Sequence, residues 1–157
     1  DITVFRVYYK NGKLKEKKEL KQGNGVFKTY SENGVLQESG EYKAWKKNGS
    51  FKKFYQSGKL QEIGKYEDEY IRGYIERFYE NGNIKESGYI YEWNKGEFQK
   101  RGIFENFYEN GRLKEKGEYS HYGKKDGLFE YFSKNGKLIK KENYEDGELI
   151  WIKKFLN

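Results

Sequence analysis

Catalysis needs a nucleophile, base or metal held by an oriented partner, and few residues of this chain can supply one. The single histidine, His121, lies in Ser120-His121-Tyr122-Gly123, with no second histidine and no cysteine to share a metal or a proton. It reads as a solvated side chain. The lack of cysteine also excludes disulfides, thiol catalysis and thiolate metal sites, without fixing the compartment. Gly123-Lys124-Lys125-Asp126-Gly127 has glycine and lysine but lacks the spacing and following Ser/Thr of a phosphate-binding loop. The acidic runs Glu67-Asp68-Glu69 and Glu145-Asp146 lack the alternating ligands of a calcium loop. The expectation is a non-enzyme with no catalytic residue, metal or cofactor.

What remains is binding chemistry, from aromatic rings and lysines. Three Trp, 16 Tyr and 11 Phe are interleaved with lysines, a mixture that can stack nucleobases. Most of these rings recur at fixed register positions, however, and packing between repeats accounts for them more economically. Nucleic acid is therefore disfavoured as a partner. Trp45, Tyr70, Tyr91, Trp93 and Tyr122 fall outside the register, in segments of variable length. Exposed Trp and Tyr are enriched in interface hot spots, so these five are the candidate partner contacts. Trp93, inside the longest insertion (Tyr91 to Arg101), is the foremost. The competing reading has Trp45 and Trp93 folded back over their own repeats. Charge adds a second candidate set. The net charge is +7, yet residues 1–66 hold 15 Lys or Arg against 7 Asp or Glu, and residues 67–157 hold 17 against 18. The excess is concentrated in Lys10 to Lys21 and in Lys43, Lys46, Lys47, Lys52 and Lys53. Such a field attracts an acidic protein, with anionic lipid or polyanionic glycan as the alternatives. Lysines spaced along solvent-facing strand positions to resist aggregation are the bland explanation.

The elements that must position these residues are set by a repeat. Asn-Gly recurs at Asn11-Gly12, Asn33-Gly34, Asn81-Gly82, Asn110-Gly111 and Asn135-Gly136, with Ser57-Gly58 standing in once. Flanked by aromatic and aliphatic residues, the dipeptide is a strong hairpin signal and predicts type I′ turns. Each repeat starts eight residues before its Asn or Ser. Position two is then Phe5, Phe27, Phe51, Ile75, Phe104 and Phe129, and position five is Tyr8, Tyr30, Phe54, Phe78, Phe107 and Phe132. Leu or Ile stands at position eleven, Gly40, Gly64, Gly88 and Gly117 at fifteen, and a mostly Tyr series at seventeen. Each unit reads as strand, tight turn, strand, loop. Eleven, fifteen and seventeen share parity and so one face, and the glycine at fifteen predicts a close aromatic neighbour. Two and five differ in parity, so the first strand either buries both faces or carries a bulge. Successive turns are 22, 24, 24, 29 and 25 residues apart, with all the variation after position seventeen, which marks that segment as the outer loop.

These observations predict one all-β array, an elongated, twisted open antiparallel sheet of about six hairpins. The repeats are expected at about 3–24, 25–48, 49–72, 73–101, 102–126 and 127–146. A C-terminal half-repeat over 147–157, opening Gly147-Glu148-Leu149-Ile150-Trp151-Ile152, is expected to close the last hairpin. The N-terminal edge strand is expected to be the less protected, a route to oligomerisation through sheet edges. No proline interrupts the ladder, and no segment approaches the roughly 20 apolar residues of a membrane span. With no methionine, residue 1 is read as the start of a mature or trimmed product, from signal-peptide removal or a cloned fragment.

Tyr108-Glu-Asn110-Gly111-Arg-Leu113-Lys114-Glu-Lys-Gly117-Glu-Tyr119 and Tyr79-Glu-Asn81-Gly82-Asn-Ile84-Lys85-Glu-Ser-Gly88 resemble the bacterial variant of the MORN repeat, and the resemblance covers the whole chain. It implies a row of antiparallel hairpins and no shared catalytic residues. It implies interaction roles: protein scaffolding, membrane-proximal attachment or, for some bacterial members, antitoxin activity. It also tilts the expected location toward the cell envelope.

Overall fold

In a computed structural model describing residues 1–155, thirteen strands occur and no helix. Residues 156 and 157, the end of the expected half-repeat, lie outside the described residues. The chain forms two compact units, residues 1–72 and 73–157. The first contains β1 (Thr3–Tyr8), β2 (Leu14–Lys21), β3 (Asn24–Tyr30), β4 (Leu36–Lys43), β5 (Lys46–Phe54) and β6 (Leu60–Glu67). β7 (Tyr70–Phe78) includes the boundary. The second unit continues with β8 (Ile84–Asn94), β9 (Glu97–Phe107), β10 (Leu113–Tyr119), β11 (Gly127–Phe132), β12 (Leu138–Glu145) and β13 (Glu148–Lys154). In each unit the strands lie in sequence order, antiparallel to their neighbours, so the all-β open sheet of tandem hairpins read from the sequence is what the structure shows.

The Asn-Gly turns differ from expectation. Gly12 N–H donates to Tyr9 C=O at 3.0 Å and Tyr9 N–H to Lys13 C=O at 2.8 Å, and the pattern recurs at each of the other five turns. The glycine has positive φ, as at Gly12 (+80°), but no Asn of these turns does. This is a type I turn closed by a left-handed glycine, not type I′. Asparagine serves through its amide instead. Asn110 Oδ1 accepts Arg112 N–H at 3.1 Å, and its Nδ2 donates to Lys134 C=O in the next turn at 2.9 Å. The type I′ geometry lies between repeats, where both central residues have positive φ: Gln22-Gly23, Ala44-Trp45, Asp68-Glu69 and Asp146-Gly147. The segment after position seventeen is thus strand and a two-residue turn in most repeats, not a long outer loop. The longest insertion is an extension of β8 and β9.

The bulge lies on the second strand of each hairpin. In β3–β4, Thr29 opposes Glu38 and Tyr30 opposes Leu36, leaving Gln37 as the extra residue. Position eleven therefore pairs with five, and the shared parity expected from eleven onward begins only at thirteen. From there the register within these hairpins is regular, with Phe27 facing Gly40, Phe51 facing Gly64 and Phe104 facing Gly117, and Phe104 also faces Gly88 across β8–β9, where a second bulge follows. Phe27, Phe51, Ile75, Phe104 and Phe129 are buried almost completely, each worth about 1.5–3 kcal/mol. The glycines let these rings lie flat on the strand. A Cβ on Gly117 would stand 2.2 Å from the Phe129 ring, and one on Gly40 2.7 Å from Phe27. Tyrosine at position seventeen supplies edge contacts, the ring centroids of Phe104–Tyr119, Tyr119–Phe129 and Phe129–Tyr144 lying 6.2, 5.4 and 5.3 Å apart. Tyrosine at position six ties one hairpin to the next: Tyr9, Tyr79 and Tyr108 donate to the C=O of Tyr30, Phe107 and Phe132 at 2.7–2.8 Å.

Candidate interaction surface

On the phenylalanine face the charges are paired. Position thirteen is Glu16, Glu38, Glu62, Glu86 and Glu115, then Lys140. Their partners are Lys18 (3.2 Å), Lys47 (2.8 Å), Lys53 (3.3 Å), Arg77 (2.6 Å) and Lys125 (3.7 Å), with Lys140 meeting Glu142 at 2.8 Å. Several of these cations also cap rings: Lys47 is 4.3 Å from the centroid of Phe27, Lys100 4.0 Å from Phe104 and Lys125 4.4 Å from Phe129. This face is self-satisfied, and it absorbs no net charge from the first unit.

Its most acid–base-rich cluster is in the second unit. Glu142 replaces the position-fifteen glycine and is buried. Tyr144 donates to it at 2.8 Å, Tyr131 bonds to it as well, and Lys125 donates to the Tyr131 phenol at 2.8 Å. Burial alone would raise the Glu142 carboxyl, but the bonds from Lys140, Tyr131 and Tyr144 lower it to about 2. Burial raises Tyr131, and its bond to Glu142 raises it further; Tyr119 is pushed up to about 12, again chiefly by burial. These shifts run away from neutrality, the reverse of what a general acid or base needs. Among the described residues no group of three or more His, Cys, Asp or Glu is placed to hold a metal, and no helix is long and apolar enough to cross a membrane.

The sequence candidates separate into distinct settings. Trp45 lies in the β4–β5 turn at φ +66° and is 60% exposed. Positive φ is unusual for a bulky residue and costs on the order of 1 kcal/mol or more. Its ring meets Phe5 edge-on at 6.4 Å and lies over Gly23, so it also folds back on the neighbouring repeat. Lys43 and Lys46 face each other beside it, both exposed, with only a 3.9 Å approach of Lys46 to Asp68. Lys47 is half-buried in its pair with Glu38. A groove of about 410 Å³ adjoins the tip, lined by Phe5, Val7, Leu20, Tyr42, Trp45 and Glu69 among others.

Tyr70, Tyr91 and Trp93 belong to strands, not loops. Tyr70 opens β7 half-buried, with the Arg72 guanidinium 5.2 Å from its centroid. Tyr91 is half-buried, with Arg101 at 4.1 Å. Trp93 is the extra residue of a bulge in β8, between the paired Glu92 and Asn94, and is 45% exposed. Tyr122 is in a loop as expected, 74% exposed and touched edge-on by His121. Trp45, Lys43 and Lys46 form one tip in the first unit, and Tyr91, Trp93 and Tyr122 belong to the second. Sequence reading missed Phe5 and Val7, whose 43% and 47% exposure opens the apolar groove beside Trp45. Their place on the first strand was the available signal. The expected contrast between sheet edges is absent as well, since Leu149, Ile150, Trp151 and Ile152 of β13 are as exposed as Val4, Phe5 and Val7 of β1.

Tandem hairpins, a self-paired phenylalanine face and an exposed apolar and basic tip define a repeat scaffold of the kind that presents surface to partners. The MORN repeat variant family matches residues 3–22, 24–44, 47–68, 73–90, 100–121 and 125–146, and the chain belongs to that family. No curated protein matches the chain. MORN repeats are generally associated with protein or membrane-lipid interaction, and the family is typically non-catalytic.

Proposed function

We propose that the chain is a non-enzymatic module that binds a partner protein through the β4–β5 tip of its first unit. Trp45 is the anchor, Lys43 and Lys46 are the flanking charges, and the groove at Phe5 and Val7 is the apolar seat. One observation carries the reading: a tryptophan held at positive φ, largely exposed, between two lysines that face each other. Like charges directly opposite are unfavourable in a hairpin, and positive φ is costly for a bulky residue. An acidic, partly apolar partner surface offsets both costs. The lysines steer its approach and the indole supplies desolvated contact area.

The test is affinity capture from the source cell with the intact chain and with Trp45→Ala as baits. The intact chain should retain one dominant protein, and the variant should lose it while keeping the same circular dichroism. Equal retention by both baits would overturn the assignment of the tip. Retention of anionic vesicles in place of any protein would move the chain to the lipid-binding class.

A further inference from the structure

The face opposite the phenylalanines carries another row of charges, and the two units fill it differently. In the first unit the directly opposed pairs are Arg6–Lys17, Lys17–Lys28, Lys28–Ser39 and Ser39–Lys52, a line across β1 to β5. In the second the corresponding line is Ser87–Glu105, Glu105–Lys116, Lys116–Glu130 and Glu130–Lys141. There the signs alternate, with ion pairs of 3.3 Å for Lys116–Glu105 and 2.7 Å for Lys141–Glu130. Alternation is what cross-strand pairing favours, and like charges directly opposite destabilise a sheet. The second unit shows that the repeat accommodates the favourable pattern. The first unit forgoes it: Lys17 pairs with Glu19, whereas Arg6, Lys28 and Lys52 have no ion pair among the described residues. An unfavourable row that the architecture does not require is where binding is to be sought.

A groove of about 340 Å³ adjoins the row, bordered by residues 26–28, 39–41 and 50–52, among them Val26, Lys28, Ser39, Glu41, Ser50 and Lys52. Val26 is 46% exposed. We propose that this row and groove bind an extended acidic protein segment lying across the strands, with its carboxylates on Lys28 and Lys52. These lysines stand two strands apart, about 10 Å, a distance matched by side chains three residues apart in an extended segment of polyproline-II type, which share a face at about 9 Å. Glu41 in the groove repels a polymer charged at every unit, such as a polyphosphate backbone. A polypeptide with N–H and hydroxyl donors between its carboxylates satisfies Glu41, Ser39 and Ser50. Phe27 and Phe51 also border the groove but are buried almost completely, so they offer no open ring face for base stacking. The inference rests on the chain being a protein-binding module and adds a second contact region, distinct from the Trp45 tip.

The test is fluorescence anisotropy of a labelled twelve-residue peptide with Glu at every third position and Ser between, titrated with the full chain at low salt. Saturable binding that weakens as salt rises is expected. Lys28→Ser/Lys52→Ser should weaken it about two- to thirty-fold, two exposed ion pairs being lost. Lys134→Ser/Lys137→Ser, which removes the same charge at a turn of the second unit, should stay within about two-fold of the unaltered chain. Equal loss in both variants, no binding, or tighter binding of a twelve-residue oligothymidylate or of phosphatidylserine vesicles would overturn the proposal. If the K28S/K52S chain still captures the partner at full yield and loses it only on Trp45→Ala, the row falls and the module stands.

Discussion

Gly117→Ala offers a sharp test of how the repeats are held together, because two physical effects predict opposite signs. A glycine inside a strand costs roughly 0.5–1 kcal/mol relative to alanine in backbone entropy, so the substitution taken locally should stabilise. Gly117 is not among the glycines with positive φ, and conformational strain is absent from the comparison. The added Cβ would, however, stand 2.2 Å from both Cδ1 and Cε1 of Phe129 and 2.5 Å from Cγ. Those are body atoms of a buried ring, itself in edge contact with Tyr119 and Tyr144, so it has no free direction in which to move. Overpacking of this kind costs about 1–3 kcal/mol, centred above the entropic gain, and leaves a net loss centred near about 1 kcal/mol. Urea unfolding, monitored by tryptophan emission in a Trp45→Phe background that leaves only Trp93 and Trp151 of the second unit, should show a lower midpoint with an unchanged slope. Phe129→Leu should lose core area by itself, and the double variant should lose less than the sum of the two singles. A neutral or stabilising Gly117→Ala would refute ring-over-glycine packing as the joint between repeats.

Further outcomes follow from the hydrogen bonds and from the tip. Tyr108→Phe removes the 2.8 Å bond to Phe132 C=O and should lower stability by about 0.5–1.5 kcal/mol in the same denaturation assay, with the sheet signal unchanged. The Glu142 carboxyl is depressed to about 2 from an ordinary 4.5, so its contribution is complete above about 4.5 and is lost as pH falls through about 2. That contribution is on the order of 1–3 kcal/mol, and Glu142→Gln should flatten the acid limb of a midpoint-against-pH curve. Lys43→Ser/Lys46→Ser removes like charges that face each other, so it should leave stability equal or slightly higher by thermal melt while lowering the yield of captured partner.

The repeat was legible because its marks are local. Asn-Gly, the aromatic at position two and the glycine at fifteen each report a backbone need or a close packing partner, and each keeps register without gaps. The turn type was misread because Asn-Gly fits either a type I′ turn or a type I turn closed by glycine, and only the hydrogen bond from Gly12 to Tyr9 separates them. The bulge at position twelve was invisible for a related reason: Lys15, Gln37 and Gln61 look like any exposed strand residue until the pairing is known. Length variation was read as loop, yet a hairpin can absorb extra residues by growing both strands, as β8 and β9 do, and this puts Trp93 in a bulge. The charge excess of residues 1–66 was visible as a count, but its sorting was not. Lys47 and Lys53 are spent on Glu38 and Glu62, while Arg6, Lys28 and Lys52 line the other face, a division that follows from cross-strand register alone.

Photo-crosslinking from position 45 measures the proposed interaction most directly. With benzoyl-phenylalanine in place of Trp45, illumination in the source cell should yield one discrete higher-mass adduct containing a single partner protein. The same group at Lys134, on an exposed turn of the second unit, should yield none. An adduct from position 134 with none from position 45 would contradict binding through the β4–β5 tip.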